Sequence, residues 1–223
     1  MKIVGLIPAR AGSKRVPNKN LQLLNGRPLI HYTCAAAVDS QVLDAVYVNT
    51  DSPEIAAAAE ECGVACPLLR PAHLARDDTS TLDSNRFMLD ELSRRGENHD
   101  VVMILQPTSP LRQAADIQAA VELFETNAPC AVVSASPTVP ASWLGHVRKD
   151  GSFDRLHGED VVYRLNGAIY IYRVSDYLDS PHALRRLVYP MTATRGLDID
   201  TLDDLRYAEF LLQQPAILDH TGV

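Results

Sequence analysis

Short apolar runs alternate with stretches of helical periodicity from the start of the chain to Ser134. Runs of β-favouring residues predict strands, and apolar residues spaced three and four apart predict the helices between them. The predicted strands cover residues 3–7, 45–49, 64–69, 101–105 and 130–134. The predicted helices cover residues 28–40, 53–62, 82–95 and 114–126. This alternation predicts a three-layer α/β fold, in which a mostly parallel sheet carries helices on both faces.

The pattern changes from Pro137 onward. Short candidate strands around the turn dipeptide Asp150-Gly151 predict an antiparallel hairpin. A strand at 166–172, a short helix at 175–178 and an extended segment at 187–190 follow. A short strand beginning at Gly196 then leads to a helix that Thr201 caps and that runs to Gln213. We therefore expect one domain over residues 1–223, with an insertion at about 137–165.

The charge of the chain is unevenly distributed. The net charge is −7, which argues against a general nucleic-acid binder, yet no acidic residue precedes Asp39. The scattered cysteines, Cys62 and Cys66 included, do not complete a zinc site and are expected to be reduced. No apolar run approaches the length of a membrane span, and no signal peptide is evident. We therefore expect a soluble cytoplasmic protein that binds neither membranes nor nucleic acid.

The first predicted strand leads into a loop with the composition of a phosphate-binding site. Gly12 and Ser13 permit close backbone approach, and the basic side chains around them are Arg10, Lys14, Arg15 and Lys19. Backbone N–H groups in such turns bind anions, and basic side chains add charge-assisted hydrogen bonds. Neither the P-loop motif nor the dinucleotide-binding glycine motif is present. A solvated basic surface loop remains the alternative interpretation.

Asp198 and Asp200 form a second candidate site near the end of the chain. Two residues apart on an extended segment, their carboxylates point the same way. Magnesium prefers one or two carboxylates together with phosphate and water oxygens. The alternative is a solvated strand edge. A carboxylate pair and a cationic loop would complete a nucleotide and metal site if both lie at the carboxyl edge of the sheet.

Four segments, in this order, resemble signatures of the acylneuraminate (CMP-sialic acid) cytidylyltransferases. They are residues 7–20, the run Leu105-Gln-Pro-Thr-Ser-Pro-Leu-Arg112, the run Asn166-Gly-Ala-Ile-Tyr170, and Asp198-Ile-Asp200. The resemblance covers essentially the whole chain. It implies a Rossmann-like nucleotidyltransferase fold that uses CTP, a nonulosonic acid and Mg²⁺, and releases pyrophosphate as CMP is transferred to the anomeric hydroxyl.

The resemblance also implies roles for individual residues. The nucleotide would be bound by Arg10, Ala11, Gly12, Ser13, Lys14, Lys19, Asn20, Arg70, Ser80 and Thr81. The sugar pocket would be lined by Gln106, Arg164, Asn166 and Tyr170. Mg²⁺ would be held by Asp198 and Asp200, which with Arg10 and Lys19 would form the catalytic set. The general base would be a metal-bound hydroxide or one of the two aspartates.

Other features concern the partner subunit and the choice of substrate. The resemblance implies a homodimer, to which the insertion and Trp143 would contribute and in which Arg164 would serve its own or the neighbouring sugar pocket. Ala11 and Arg15 replace glycines that sialic acid enzymes often carry, and Arg15 resembles relatives acting on pseudaminic-type sugars. N-acylneuraminate is the first expected sugar, with pseudaminic or legionaminic acid as further choices.

Two rival functions remain open. One is another sugar nucleotidyltransferase, such as a 3-deoxy-manno-octulosonate cytidylyltransferase, and the other is a nucleotide-binding protein without catalysis. Asp51, after the second predicted strand, is expected to orient a turn by hydrogen bonding, with contact to the nucleotide as the alternative.

Overall fold

A six-stranded sheet forms the centre of the molecule. A computed structural model describes residues 1–13, 15–76, 78–127, 130–158, 161–179 and 185–214. Its strands are β1 (Ile3–Pro8), β2 (Leu23–Leu24), β3 (Arg27–Pro28), β4 (Ala45–Asn49), β5 (Val101–Ile104), β6 (Ala131–Pro140), β7 (Gly145–Val147), β8 (Phe153–Arg155), β9 (Val161–Arg173) and β10 (Arg186–Pro190). The central sheet has the order β10-β6-β9-β5-β1-β4, whereas β2 with β3 and β7 with β8 form separate hairpins.

The helices cover both faces of this sheet. They are α1 (Leu29–Ser40), α2 (Pro53–Glu60), α3 (Thr81–Arg94), α4 (Ala114–Thr126), α5 (Val174–Asp179) and α6 (Leu202–Leu212). Short 3₁₀ turns form at Lys19–Leu21, Ala72–Leu74 and Ala141–Trp143. The predicted caps are present, since the Ser52 hydroxyl accepts from the N–H of Ile55 and Thr201 forms a capping box with Asp204. None of the described helices is long and apolar enough to span a bilayer.

One strand of the central sheet runs against the others. β9 is antiparallel to both β5 and β6, whereas the pairs β1 with β4, β1 with β5, and β6 with β10 are parallel. The carboxyl ends of β1, β4, β5 and β6 therefore lie at the same edge, and the first half of β9 enters the sheet there. Ligands of open α/β sheets bind at this edge.

Alternate residues of the strands separate two apolar cores. Ile3 and Ile7 of β1 face the core formed with α1, α2 and α4, and Val4 and Leu6 face the core formed with α3 and α5. This alternation follows from the strand period of two. The three-layer α/β fold expected from the sequence is thereby confirmed.

Two predicted strands are wrong. Residues 64–69 contribute only an isolated bridge between Tyr47 and Ala65, because Pro67 has no N–H to continue a ladder. The segment that begins at Gly196 forms no strand, because Gly196 closes a turn with Thr192 and residues 197–200 join no ladder. It is held by a hydrogen bond of 2.7 Å from the N–H of Ile199 to the carbonyl of Thr108.

The predicted insertion is continuous with the central sheet. β6 runs beyond the predicted end at 134, and its outer half pairs with β9, with Ser136 opposite Arg164 and Pro140 opposite Val161. We call the outer part of β6, the hairpin of β7 and β8, and the first part of β9 the arm, residues 136–158 and 161–165. The hairpin lies at its tip, and Gly151 in the hairpin turn has φ 85°. The hairpin prediction is confirmed, and a role of the arm in dimerisation stays a prediction.

Candidate nucleotide and metal site

A cleft of about 490 Å³ lies at the carboxyl edge of the sheet. Its walls are formed by the loop after β1, the segment between α2 and α3, the start of α3, the loop after β5 and the segment before α6. It is lined by Pro8, Arg10, Ser13, Arg15, Lys19, Asn20, Arg70, Arg76, Thr79, Thr81, Ser84, Gln106, Pro107, Thr108 and Asp200. The cationic loop and one of the two aspartates therefore line the same cleft, although about 180 residues separate them in the chain.

The side chains of Asp51 and Asn20 hold the backbone of the basic loop, residues 9–20. The N–H of Ala11 donates to Asp51 Oδ1 at 3.0 Å, which confirms that Asp51 orients this turn. The side chain of Asn20 is buried and donates from Nδ2 to the carbonyl of Arg10 at 3.0 Å. Asn18 adopts the left-handed conformation with φ 50°, which asparagine tolerates better than most residues. The predicted phosphate ligand Lys14 lies outside the described residues.

Two cations of the basic loop reach Asp200 across the cleft. Arg15 Nη1 lies 2.6 Å from Asp200 Oδ2, and Lys19 Nζ lies 3.1 Å from Oδ1. Lys19 Nζ also donates to the carbonyl of Ile199 at 2.6 Å. The basic loop and the acidic segment are thus joined by ion pairs and by a hydrogen bond to the backbone.

Asp198 lies beside Asp200 but is more deeply buried. Burial raises the pKa of Asp198, and the charge of Asp200 adds to the rise, whereas a hydrogen bond with the side chain of Thr108 opposes it. Nearby Lys19 and Arg164 also favour the charged form of Asp198. Two carboxylates that oppose each other's ionisation are stabilised by a cation between them, and their hard oxygen donors suit a divalent ion such as magnesium. The residues present therefore fit a metal site.

Arg70 is buried in the opposite wall. Its guanidinium donates from Nη2 to the carbonyl of Asn49 and from Nε to Asn49 Oδ1 at 3.2 Å. Asn49 is itself held by Asn85 at 2.9 Å and by the carbonyl of Ser84 at 2.9 Å. Burial lowers the pKa of Arg70. This arrangement fixes a cation beside the mouth of the cleft before any ligand arrives.

The hydroxyl residues expected to contact cytidine have different positions. Ser80 is the N-cap of α3, and its Oγ accepts from the N–H of Asp83 at 3.0 Å, so this hydroxyl is already engaged. Thr81 lines the cleft together with Thr79. The Thr79 hydroxyl donates to the carbonyl of His73 at 3.2 Å. Thr81 therefore offers a hydroxyl of the predicted run to the cleft, whereas Ser80 and Thr79 hold its wall.

Of the residues expected around the sugar, Gln106 lines the cleft and Asn166 supports it from the interior. Gln106 lines the cleft, and its side chain lies over Gly167, where an added Cβ would approach Gln106 Oε1 to 2.5 Å. Asn166 is buried, and its amide accepts from Ser134 Oγ at 2.5 Å and donates to Ser136 Oγ at 2.9 Å. Asn166 therefore braces the site from beneath and does not line the cleft.

Tyr170 and Arg164 lie on β9, next to the carboxylate pair. Tyr170 is half-buried against the core of α3 and α5, and burial together with the charge of Asp198 raises its pKa. Arg164 is exposed on the arm, and its charge acts on Asp198. Neither residue lines the cleft itself: Tyr170 lies in the central sheet opposite Ile104, and Arg164 lies on the arm opposite Ser136.

Sequence reasoning missed several residues of the cleft and its support. Thr108 was inside a recognised signature, and its contacts to Asp198 and Ile199 carry no sequence signal. Arg76 follows Arg70 in a polar loop and adds another cation to the lining. Arg112 is buried and donates to the carbonyl of Ala168 at 2.8 Å, and burial lowers its pKa to about 10.

Comparisons with known proteins agree with this geometry. A family model described as cytidylyltransferase matches residues 4–178. The chain is 34% identical over 226 residues to the CMP-N,N'-diacetyllegionaminic acid synthase of Legionella pneumophila, covering 96% of this chain and 97% of that protein. It is 30% identical to the pseudaminic acid cytidylyltransferase of Campylobacter jejuni, over 95% of this chain and 96% of the relative.

Other matches differ in length or in sequence. The N-acylneuraminate cytidylyltransferase of Escherichia coli is 34% identical over 96% of this chain, but the chain spans only 52% of that protein. A CMP-2-keto-3-deoxy-manno-octonic acid synthetase, solved with CTP, superposes with a TM-score of 0.75 at 20% identity and covers 96% of this chain and 100% of the other. At this identity the superposition establishes the fold alone.

Proposed function

The chain belongs to the cytidylyltransferase family, and on that premise we propose that it is a CMP-nonulosonic acid synthetase. The reaction transfers CMP from CTP to the anomeric hydroxyl of a sialic-acid-like α-keto sugar acid and releases pyrophosphate. One observation carries this proposal: the cleft joins a cationic loop on one wall to Asp200 on the other, with Asp198 beside it. We expect the enzyme to work in the cytoplasm.

We assign the binding of the triphosphate to the basic loop. Arg10, Ser13 and Lys19 line the cleft from this loop, and Arg70 adds a fixed cation opposite. Cations aimed at phosphate oxygens stabilise the charge that develops as pyrophosphate leaves. Lys14, Ala11 and Gly12 are proposed to contribute from the same loop. Asn20 holds the loop closed by its bond to the carbonyl of Arg10.

We assign a divalent cation, Mg²⁺ in this proposal, to Asp198 and Asp200. When bound, such an ion neutralises charge on the phosphate oxygens. The support is the donor set, because burial and the charge of Asp200 raise the pKa of Asp198. Thr108 orients Asp198 through its side chain, and its carbonyl holds the backbone of Ile199.

We place the sugar at the β9 side of the cleft. Gln106 lines the cleft there, with Tyr170 and Arg164 further along β9. Asn166 would act through these neighbours by fixing the irregular part of β9 at Gly167 against Gln106. Relatives that act on legionaminic and pseudaminic acids match nearly their full length to this chain. These two sugars and N-acylneuraminate are therefore the candidates to test first.

Turnover measurements test the function directly. The protein with Mg²⁺ is incubated with each of the four nucleoside triphosphates and with sialic, legionaminic, pseudaminic or octulosonic acid, and pyrophosphate is measured. We expect release only with CTP and a nonulosonic acid, and loss of release when the metal is chelated. Release with octulosonate alone would move the function to that sugar. Tight CTP binding without release under any pairing would refute catalysis.

Two substitutions test the assigned roles. Lys19→Ala should raise the KM for CTP and leave the KM for the sugar nearly unchanged, because Lys19 belongs to the basic loop to which we assign the triphosphate. Asp200→Asn should abolish turnover but keep binding of metal-free CTP. A defect confined to the sugar in the first variant, or normal turnover in the second, would reassign these residues.

We also propose that the arm of β6 and β9 forms a homodimer contact. Its exposed apolar side chains include Trp143 at 74%, Val147 at 73% and Phe153 at 51% exposure. Apolar and aromatic residues of this kind are enriched at protein interfaces. Light scattering of the parent and of a Trp143→Ser variant would test the contact, and a parent that is monomeric at assay concentration would contradict it.

A further inference from the structure

Both carboxylate oxygens of Asp200 are occupied by cations of the basic loop. Arg15 Nη1 holds Oδ2 at 2.6 Å, and Lys19 Nζ holds Oδ1 at 3.1 Å. Under the proposed function, these cations face a triphosphate, and Asp200 faces a divalent metal ion. The described structure instead pairs the two sets of charges with each other, so both ligands would have to displace the same contacts.

The two ion pairs differ in how firmly they are held. The side chain of Lys19 is only 12% exposed and also donates to the carbonyl of Ile199 at 2.6 Å. The side chain of Arg15 is 68% exposed, and Asp200 is 50% exposed. Exposed ion pairs contribute little stability and weaken further in salt. The pair formed by Arg15 can therefore exchange partners at small cost, whereas Lys19 remains anchored.

We propose that Arg15 is an exchangeable counter-ion for Asp200 that couples nucleotide binding to metal binding. Without nucleotide, Arg15 neutralises Asp200 and repels a divalent cation. When a triphosphate enters, its oxygens attract the guanidinium, and Asp200 is released to bind the metal. This inference rests on the proposed function, because it takes the triphosphate and the metal from there.

The charges at the site support this exchange. Asp198 and Asp200 together carry two negative charges, and Arg15 and Lys19 carry two positive ones. A divalent ion that entered beside both cations would place four positive charges against two carboxylates. A triphosphate that draws Arg15 away from Asp200 removes this excess of positive charge and so raises the affinity for the metal. By linkage, bound metal must raise the affinity for the triphosphate by the same factor.

Metal binding to the nucleotide-free protein tests the inference without catalysis. Mn²⁺ is titrated into the parent, Arg15→Gln and Arg76→Gln, and free Mn²⁺ is followed by electron paramagnetic resonance. Arg76 is a matched control, because it also lines the cleft and its replacement removes the same charge. We expect Arg15→Gln to bind Mn²⁺ about 2- to 5-fold more tightly than the parent, the range that an exposed ion pair supplies, and Arg76→Gln to change little.

Three results would overturn the inference. They are an unchanged Mn²⁺ affinity in Arg15→Gln, equal tightening in both variants, and no saturable binding to any of the three proteins. If the parent turns over CTP but Arg15→Gln binds Mn²⁺ no more tightly than the parent, the counter-ion role is refuted and the proposed function stands. Tighter Mn²⁺ binding by Arg15→Gln, together with no pyrophosphate release by the parent under any pairing of nucleotide and sugar, would support the counter-ion role and refute the proposed function.

A second measurement reads the same exchange from the nucleotide side. Binding of CTP with chelator present is compared in the parent, Asp200→Asn, Arg15→Gln and the double variant. If Asp200 competes with phosphate for Arg15, Asp200→Asn should tighten metal-free CTP several-fold when Arg15 is present and distinctly less in the Arg15→Gln background. Equal tightening in both backgrounds would show that Asp200 acts only as a distant negative charge, and would overturn the proposed exchange.

Discussion

Gly196 offers a sharp test of how the acidic segment is held against the sheet. A Cβ added to Gly196 would lie 2.2 Å from Ser136 Oγ and 2.4 Å from Asn166 Nδ2. Both neighbours are buried and hydrogen-bonded to each other at 2.9 Å. Asn166 also accepts from Ser134 and from the N–H of Ala168, so its side chain has no free direction in which to move. Gly196 does not have a positive φ, so the clash is steric alone.

The cost of Gly196→Ala follows from these contacts. Overpacking a filled site costs about 1 to 3 kcal/mol, and loss of the bond between Asn166 and Ser136 adds about 1 kcal/mol. We therefore expect the free energy of unfolding to fall by about 2 to 4 kcal/mol, and the melting temperature to fall by about 4 to 15 °C for a chain of this size. Movement of the backbone at residue 196 would also displace Asp198, two residues further along the chain, and lower turnover.

Urea unfolding followed by far-ultraviolet circular dichroism measures this change. Fluorescence is a poor probe, because Trp143 is 74% exposed. Gly12→Ala is the control, because an added Cβ there has nothing within 4 Å and stability should be unchanged. If Gly196→Ala unfolds within about 0.5 kcal/mol of the parent, which is the range of ordinary surface substitutions, the packing of this segment has been misjudged.

Three further predictions concern the charged groups of the site. Because folding raises the pKa of Asp198, its ionisation lowers the stability of the folded protein at pH values above that pKa. Asp198→Asn should therefore raise the melting temperature of the metal-free protein at pH 7. If this rise in melting temperature stayed the same as the pH fell through the raised pKa towards 3.8, the prediction would be contradicted. Thr108→Val should raise the pKa of Asp198 further and move the acidic limb of the pH–rate profile to higher pH, Thr108→Ser should restore it, and identical profiles would remove Thr108 from this role. Asn49→Ala should raise the KM for CTP several-fold, because it removes the Oδ1 acceptor of Arg70 Nε while the backbone carbonyls of residues 49 and 74 still hold the guanidinium. An equal rise in the KM for the sugar would show a general defect instead.

The sequence predicted features that depend on neighbours along the chain. The cap of Ser52 on α2, the capping box at Thr201 and the turn at Gly151 follow from local residue chemistry. The three layers follow from the alternation of strand and helix patterns. The signature residues were found because they cluster in short runs, and the cleft collects Arg10, Lys19 and Gln106 from these runs.

Features that depend on distant contacts had no such signal. β9 contains the predicted strand of residues 166–172, but nothing in its composition shows that it enters antiparallel between β5 and β6. Ser80 and Asn166 have side chains suited to binding a ligand, and both are instead engaged in a helix cap and in a buried amide network. Polar residue types reveal what a side chain can bind, whereas its actual partner depends on the fold around it.

The antiparallel entry of β9 explains why the proposed site can bind two different substrates. If β9 ran parallel to its neighbours, its first residues would lie at the opposite edge of the sheet, away from the basic loop. Because it enters at the carboxyl edge, the irregular part of β9 at Gly167 meets Gln106, and Arg164 lies near Asp198. The part of the cleft that we assign to the nucleotide is lined from the loop after β1 and the segment between α2 and α3, and the part that we assign to the sugar is lined by Gln106 beside β9. Lys19 joins Asp200 to the basic loop, and Thr108 joins Asp198 to the loop after β5, so the two carboxylates proposed to hold the metal are tied to both parts.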